Sequence, residues 1–258
     1  QISGALPTTE EAITSQKDSA IANVDTSIAA AVAAGNTTPG ESSTLTTGQD
    51  TITGTANDDS VSGVVLDNGA AGTTVQAGDQ LNMGNGTDTL TIAVSGDGTN
   101  AGYTISGVQG TGLDKVLLSN FDTNATGTTT VDTTLMTGLT TVGFSSSAAS
   151  GATVFSGMSS LVNAEMKNGS ADLTLTHGAA AVAGASAISL DVQGQTAGTF
   201  TAAGIETLTV NSNLVASSLT ALTATSMTNL NVAGSADLSI GTVIDFVDNA
   251  SATAVDGT

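Results

Sequence analysis

Leu45-Thr46-Thr47-Gly48-Gln49-Asp50-Thr51-Ile52-Thr53-Gly54-Thr55-Ala56-Asn57-Asp58-Asp59-Ser60-Val61 holds two copies of one nine-residue unit. Asp50 and Asp59 stand nine apart, and so do Ile52 and Val61, so that each aspartate is followed two residues later by an aliphatic. The interval returns at Asp79, Asp88 and Asp97, with Leu81 and Leu90 in step. Short strands of period two, broken by Gly-Thr and Asn-Asp turns, account for the pattern, because alternate strand residues share a face and these residue types admit tight turns. A nine-residue repeat with an acid and a buried aliphatic at fixed offsets is the pattern of a parallel β-roll.

The match is fullest at Gly84-Asn85-Gly86-Thr87-Asp88-Thr89-Leu90-Thr91, which reads G-x-G-x-D-x-U-x with Met83 where a leading glycine would stand. Glycines let the backbone turn and aim its carbonyls inward, the aspartate adds a hard carboxylate oxygen, and the aliphatic begins the next strand. That donor set suits Ca2+. One turn offers only part of a coordination shell, so the ion is expected between successive turns, with ligation coupled to folding because carboxylates stacked this densely repel one another. The expected ligands are Asp88 with Gly84 and Gly86, Asp79 and Asp97 as stacking partners one beat to either side, and Asp50, Asp58 and Asp59 as a second cluster. Asp67, Asp114 and Asp122 keep no beat and read as surface or interface acids.

The 258-residue chain carries 23 acids against Lys17, Lys115 and Lys167, a formal charge of −20. Nothing on such a surface neutralises phosphates, which excludes nucleic acid as a partner. Cysteine is absent, removing disulfides, thiolate catalysis and zinc-thiolate sites. No apolar run approaches the roughly 18 to 20 residues of a membrane span. The chain begins at Gln1 without a basic and apolar leader, so it is expected to be processed or part of a longer protein. Aromatics make up 2%, which implies a core of stacked Val, Leu, Ile, Ala and Thr without large aromatic anchors.

Three regions follow. Residues 1–40 form a helical segment and linker: Thr8 and Glu11 make a capping box, Ile13, Ile21, Val24, Ile28 and Val32 keep largely helical spacing, and Gly35 and Pro39-Gly40 close it. Residues 41–104 hold the acidic repeats. Over 105–258 the period lengthens to Φ-x-x-Φ-x-Φ cores at Leu113-Val116-Leu118, Leu139-Val142-Phe144, Leu161-Ala164-Met166, Ile205-Leu208-Val210 and Met227-Leu230-Val232, with Ala187-Leu190-Val192 in the gap. Steps of 26, 22, 26, 18 and 22 residues give coils averaging about 23, and second strands accompany them at Ala171–Leu175 and Ala236–Ile240. A β-sandwich with repeated strands fits unequal steps too; the expected class is all-β, a parallel β-helix or β-roll solenoid with Thr/Gly-rich coils, preceded by a short helix.

The run Leu45–Val61, the turn Gly84–Leu90 and Thr-rich coils such as Gly204-Ile205-Glu206-Thr207-Leu208-Thr209-Val210 resemble bacterial surface-layer proteins of the RTX type. The resemblance implies an acidic, cysteine-free protein, exported by a type I system and assembled on the cell surface by calcium. Only one near-complete nonapeptide is present, so isolated calcium sites on a larger β-body are expected rather than a long array.

No catalytic set emerges. His177 is the only histidine, and Glu165 and Glu206 have only Lys167 as a nearby base, so an enzyme is not expected. The Asn-x-Ser/Thr matches at Asn36, Asn85, Asn124, Asn168 and Asn249 are of the number that chance gives in so Asn- and Thr-rich a chain. Two functions fit: a secreted structural subunit forming a homo-oligomeric lattice or fibre at the cell surface, or an adhesin or matrix module binding polysaccharide or another cell. With Tyr103 the only tyrosine and no tryptophan, stacking platforms for sugars are scarce, which favours assembly.

Overall fold

The computed structural model describes residues 39–66, 71–95, 102–121, 127–148, 151–244 and 251–253, with Ile21 and Val24. Every strand pairing among them is parallel, which decides for the solenoid over the sandwich. A ten-stranded first sheet runs through Ser42–Thr44, Ser60–Leu66, Thr89–Ser95, Lys115–Asn120, Thr141–Ser147, Asn163–Lys167, Ala187–Gln193, Thr207–Ser212, Asn229–Gly234 and Ser251–Thr253. A short second sheet of four strands, Thr51–Thr53, Gln80–Asn82, Gln109–Thr111 and Met136–Thr137, accompanies its early coils. The third, of seven strands, begins at Gly102–Ile105 and continues through Thr128–Asp132, Ala152–Met158, Leu173–His177, Thr199–Ala202, Ser217–Thr223 and Leu238–Ile244. The lengthening of the period near residue 105 thus coincides with the start of the third sheet.

Alternation fixes which side chains meet. Val61, Leu90, Val116, Val142, Ala164, Leu190, Val210 and Val232 lie in one register column of the first sheet. All but the partly buried Val232 belong to the buried core. Their neighbours at even numbers of residues share the face, as the strand period of two requires, except beyond Phe144, where a bulge shifts the register before Ser146. One expected step differs: Leu190 pairs with Val210, and Ile188 with Leu208, so that step is 20 rather than 18 residues. A slip of two keeps every side chain on its face, so periodicity alone does not distinguish the two registers. The expectation of a core without aromatic anchors is also corrected. Phe144, Phe155 and Phe200 are 0% exposed. A Cβ on Gly169 would lie 3.3 Å from the Phe144 ring, so a glycine turn in the adjoining coil leaves that ring its space.

The chain divides into two units, residues 1–39 and 40–258. In the first, Ile21 and Val24 are about half exposed; the rest of the expected N-terminal helix lies outside the described residues. The described solenoid contains no helix.

Candidate functional site

Each early coil enters its strand through an aspartate, and these aspartates stack. The Asp59 N–H donates to Asp88 Oδ1 at 2.7 Å, and the Asp88 N–H donates to Asp114 Oδ2 at 3.0 Å. The Glu41 N–H donates to Asp59 Oδ1 at 2.6 Å, extending the column backward. Main-chain bonds run alongside, with Thr89 N–H on the Asp59 carbonyl and Lys115 N–H on that of Asp88, both at 2.9 Å. A second column joins the entries to the second sheet, where the Asp50 N–H donates to Asp79 Oδ1 at 2.9 Å. The ninefold beat therefore alternates between two columns. Along the axis, Asp88 has Asp59 and Asp114 as neighbours rather than Asp79, which lies in the other column. Asp97 lies outside the described residues.

Within their own turns most of these carboxylates are already bonded. Thr46 donates its N–H to Asp50 Oδ2 at 2.7 Å and its hydroxyl to Oδ1 at 2.9 Å. Thr55 does the same for Asp59, N–H to Oδ2 and hydroxyl to Oδ1 at 3.0 Å, and the Gln76 N–H reaches Asp79 Oδ2 at 2.8 Å. Asp88 has Gly84 where Asp59 has Thr55. Its Oδ2 is buried with no partner among the described residues, on a residue that is 0% exposed. Gly84 and Gly86, at φ +100° and +124°, take backbone conformations that suit glycine. A Cβ on Gly84 would lie 2.2 Å from the Thr55 carbonyl oxygen, and one on Gly86 2.6 Å from that of Asn57. Both glycines are thus where this turn rests on the turn below. Asp58, exposed at the rim, accepts the Thr87 N–H at 2.7 Å.

The electrostatics follow the bonding. Burial raises the Asp88 carboxyl above its ordinary value, the Asp59 N–H partly offsets this, and the charges of Asp59, Asp114 and Asp58 add to the rise. The Thr55 N–H holds Asp59 below its ordinary value, against burial, with help from the Glu41 N–H and the Thr55 hydroxyl. Among the described residues no three His, Asp or Glu side chains converge so as to hold a metal by themselves. A cation here would therefore draw on Asp88 Oδ2 together with main-chain carbonyls. Asp114, which sequence reasoning set aside, shares the Asp-x-aliphatic signal of Asp59 and Asp88. Its interval of 26 residues from Asp88 hid it.

Away from the columns, Glu165 is 5% exposed. It accepts from Lys115 Nζ at 3.0 Å and Lys167 Nζ at 2.6 Å. Burial alone would raise its carboxyl, but the two ammonium groups outweigh that and hold it low. His177 is half-buried and its Nε2 accepts the Val162 N–H at 3.3 Å. Burial pushes the imidazole below its ordinary value. Comparison with protein-family models, with curated proteins and with solved structures finds no match to this chain.

Proposed function

We propose that this chain is a secreted structural subunit that self-assembles into a calcium-stabilised surface layer or extracellular filament on a bacterial cell. The observation that carries the proposal is the pair of aspartate columns, one of them leaving a buried carboxylate oxygen unpartnered, in a chain of net charge −20. The residues present fit a hard cation: Asp88 would hold it, with Asp58, Asp59 and Asp114 around it and carbonyls of the glycine turns completing the shell. When bound, calcium supplies the positive charge that these stacked acids lack.

The columns do the rest. They tie each coil to the next through side-chain bonds to main-chain N–H groups, so neutralising them stiffens several coils at once. Without neutralisation the like charges oppose both folding and the approach of a second copy. Low free calcium before export and millimolar calcium outside would make assembly conditional on leaving the cell. Solenoid coils offer unpaired strand edges for end-to-end contact between copies. Glu165, the buried acid a hydrolase groove would need, is engaged by two lysines, which favours a structural role over an enzymatic one. Among the described residues no helix is long and apolar enough to cross a membrane.

Negative-stain electron microscopy of the purified protein, in millimolar calcium and in excess EGTA, tests this. Ordered sheets or fibres with calcium only are expected. Monodisperse particles in both would overturn the assembly reading and favour the adhesin.

A further inference from the structure

The turn that carries Asp88 holds an Asn-Gly pair that the columns do not use, and we infer that Asn85 is a site of spontaneous deamidation. In this reaction the main-chain nitrogen of Gly86, giving up its proton to solvent base, attacks Cγ of Asn85. A carbon–nitrogen bond forms, the bond to the side-chain amide breaks, and ammonia leaves. Water then adds to either carbonyl of the resulting succinimide and opens it to aspartate or isoaspartate. Water is the only co-reactant, and nothing is oxidised or reduced.

Three observations place the reaction at Asn85. Asn85 is exposed, and its side chain has no hydrogen-bond partner among the described residues. Gly86 has no side chain to shield its nitrogen, and its φ of +124° is open mainly to glycine. The chain also supplies its own contrast in Asn168-Gly169. There Asn168 Nδ2 donates to the Ser145 carbonyl at 3.3 Å, and the Asn168 N–H to that of Gln193 at 2.9 Å. Gly169 forms a parallel bridge with Ser147, and its carbonyl accepts the Thr196 N–H at 2.8 Å. Swinging the Asn168 side chain onto the Gly169 nitrogen requires breaking bonds on both residues; at Asn85 no side-chain bond has to break.

The product matters because of where it forms. Aspartate at position 85 adds a carboxylate three residues before Asp88, in a turn resting on the one that carries Asp58. Isoaspartate instead lengthens the backbone of a turn whose glycines fit the coil below with no room to spare. A long-lived extracellular copy would thus age at this turn before it ages at Asn168, gaining charge in one product and losing fit in the other.

The test is incubation of the full chain at mildly alkaline pH in EGTA, then proteolysis and mass spectrometry of the peptides containing Asn85 and Asn168, with a urea-unfolded sample alongside. Working in EGTA keeps the outcome independent of the calcium proposal. The folded chain is expected to convert Asn85 at least about tenfold faster than Asn168, a barrier difference of about 1.4 kcal/mol. The unfolded chain is expected to convert both at similar rates, and Asn85→Gln to leave the folded chain unchanged at both positions. Equal rates at the two sites in the folded chain, or faster conversion at Asn168, would overturn the inference.

Discussion

Asp88 and Asp59 occupy the same place in successive coils and yet their carboxyls shift in opposite directions: burial raises Asp88, whereas the Thr55 N–H, reaching back across its turn, holds Asp59 low against burial. The consequence for stability has opposite signs. Asp59, held below its ordinary value of 3.8, contributes stability that is present above that pH and lost as pH falls through its depressed folded value. Asp88, raised above 3.8, opposes folding at neutral pH, and the opposition disappears as pH falls through its raised folded value. Asp88→Asn keeps an oxygen for the Asp59 N–H and removes the buried charge. In EGTA it is expected to raise Tm by a few degrees, to cancel the gain on mild acidification that Asp88 supplies, and to abolish most of the rise in Tm that calcium gives the parent chain. Thermal unfolding by circular dichroism checks this; a variant that is weaker in EGTA and still gains from calcium would count against the site. The ninefold beat made Asp50, Asp59, Asp79 and Asp88 legible in the sequence. Which of them stay unsatisfied was not, since that depends on whether a main-chain N–H of the turn folds back onto the carboxylate, as those of Thr46, Thr55 and Gln76 do for Asp50, Asp59 and Asp79, and Asp114 was missed because its coil is shorter.

At the scale of strands, the Φ-x-x-Φ-x-Φ cores revealed the first sheet because its core face keeps a period of two over most strands, interrupted by the bulge between Phe144 and Ser146. The short second sheet was legible at Ile52 and Leu81, which pair directly, and faded at Gly110, where the column reaches a glycine. What the sequence does not carry is how close two backbones come. Gly143 pairs with Leu117 on one side and Glu165 on the other, and a Cβ there would lie 1.9 Å from the Glu165 carbonyl oxygen. The glycine sits on the strand between Lys115 and Glu165, whose charges meet two strands apart. Gly143→Ala is expected to cost about 3 kcal/mol, since backbone on a neighbouring strand must move. Gly184→Ala, at φ +88° with nothing within 4 Å, meets only the backbone preference and is expected to cost about 1 kcal/mol. Denaturant midpoints of the two variants check the order, and equal losses would show that the first sheet yields at Gly143.

Among the described residues strands pair only with those of adjacent coils, and the Lys115–Glu165 ion pair reaches one coil further, so stability is close to a sum of local terms and a disturbance weakens with distance along the axis. Among the described residues the two aspartate columns lie in the early coils, from Asp50 to Asp114, together with most of the second sheet, whose strands are two or three residues long. The later coils are held by long strands of the first and third sheets and by fully buried side chains such as Phe155, Phe200 and Leu222. Removing a cation should therefore loosen one end and leave the other alone. Hydrogen exchange followed by mass spectrometry, in calcium and in EGTA, reads this coil by coil. Faster exchange in EGTA is expected over residues 42–111, little change over 163–223, and a graded response between. Uniform loosening would mean that calcium holds the solenoid through contacts beyond the aspartate columns; no change anywhere would mean that the threonine and main-chain bonds to the aspartates suffice, leaving Asp88 a tolerated buried charge rather than a ligand.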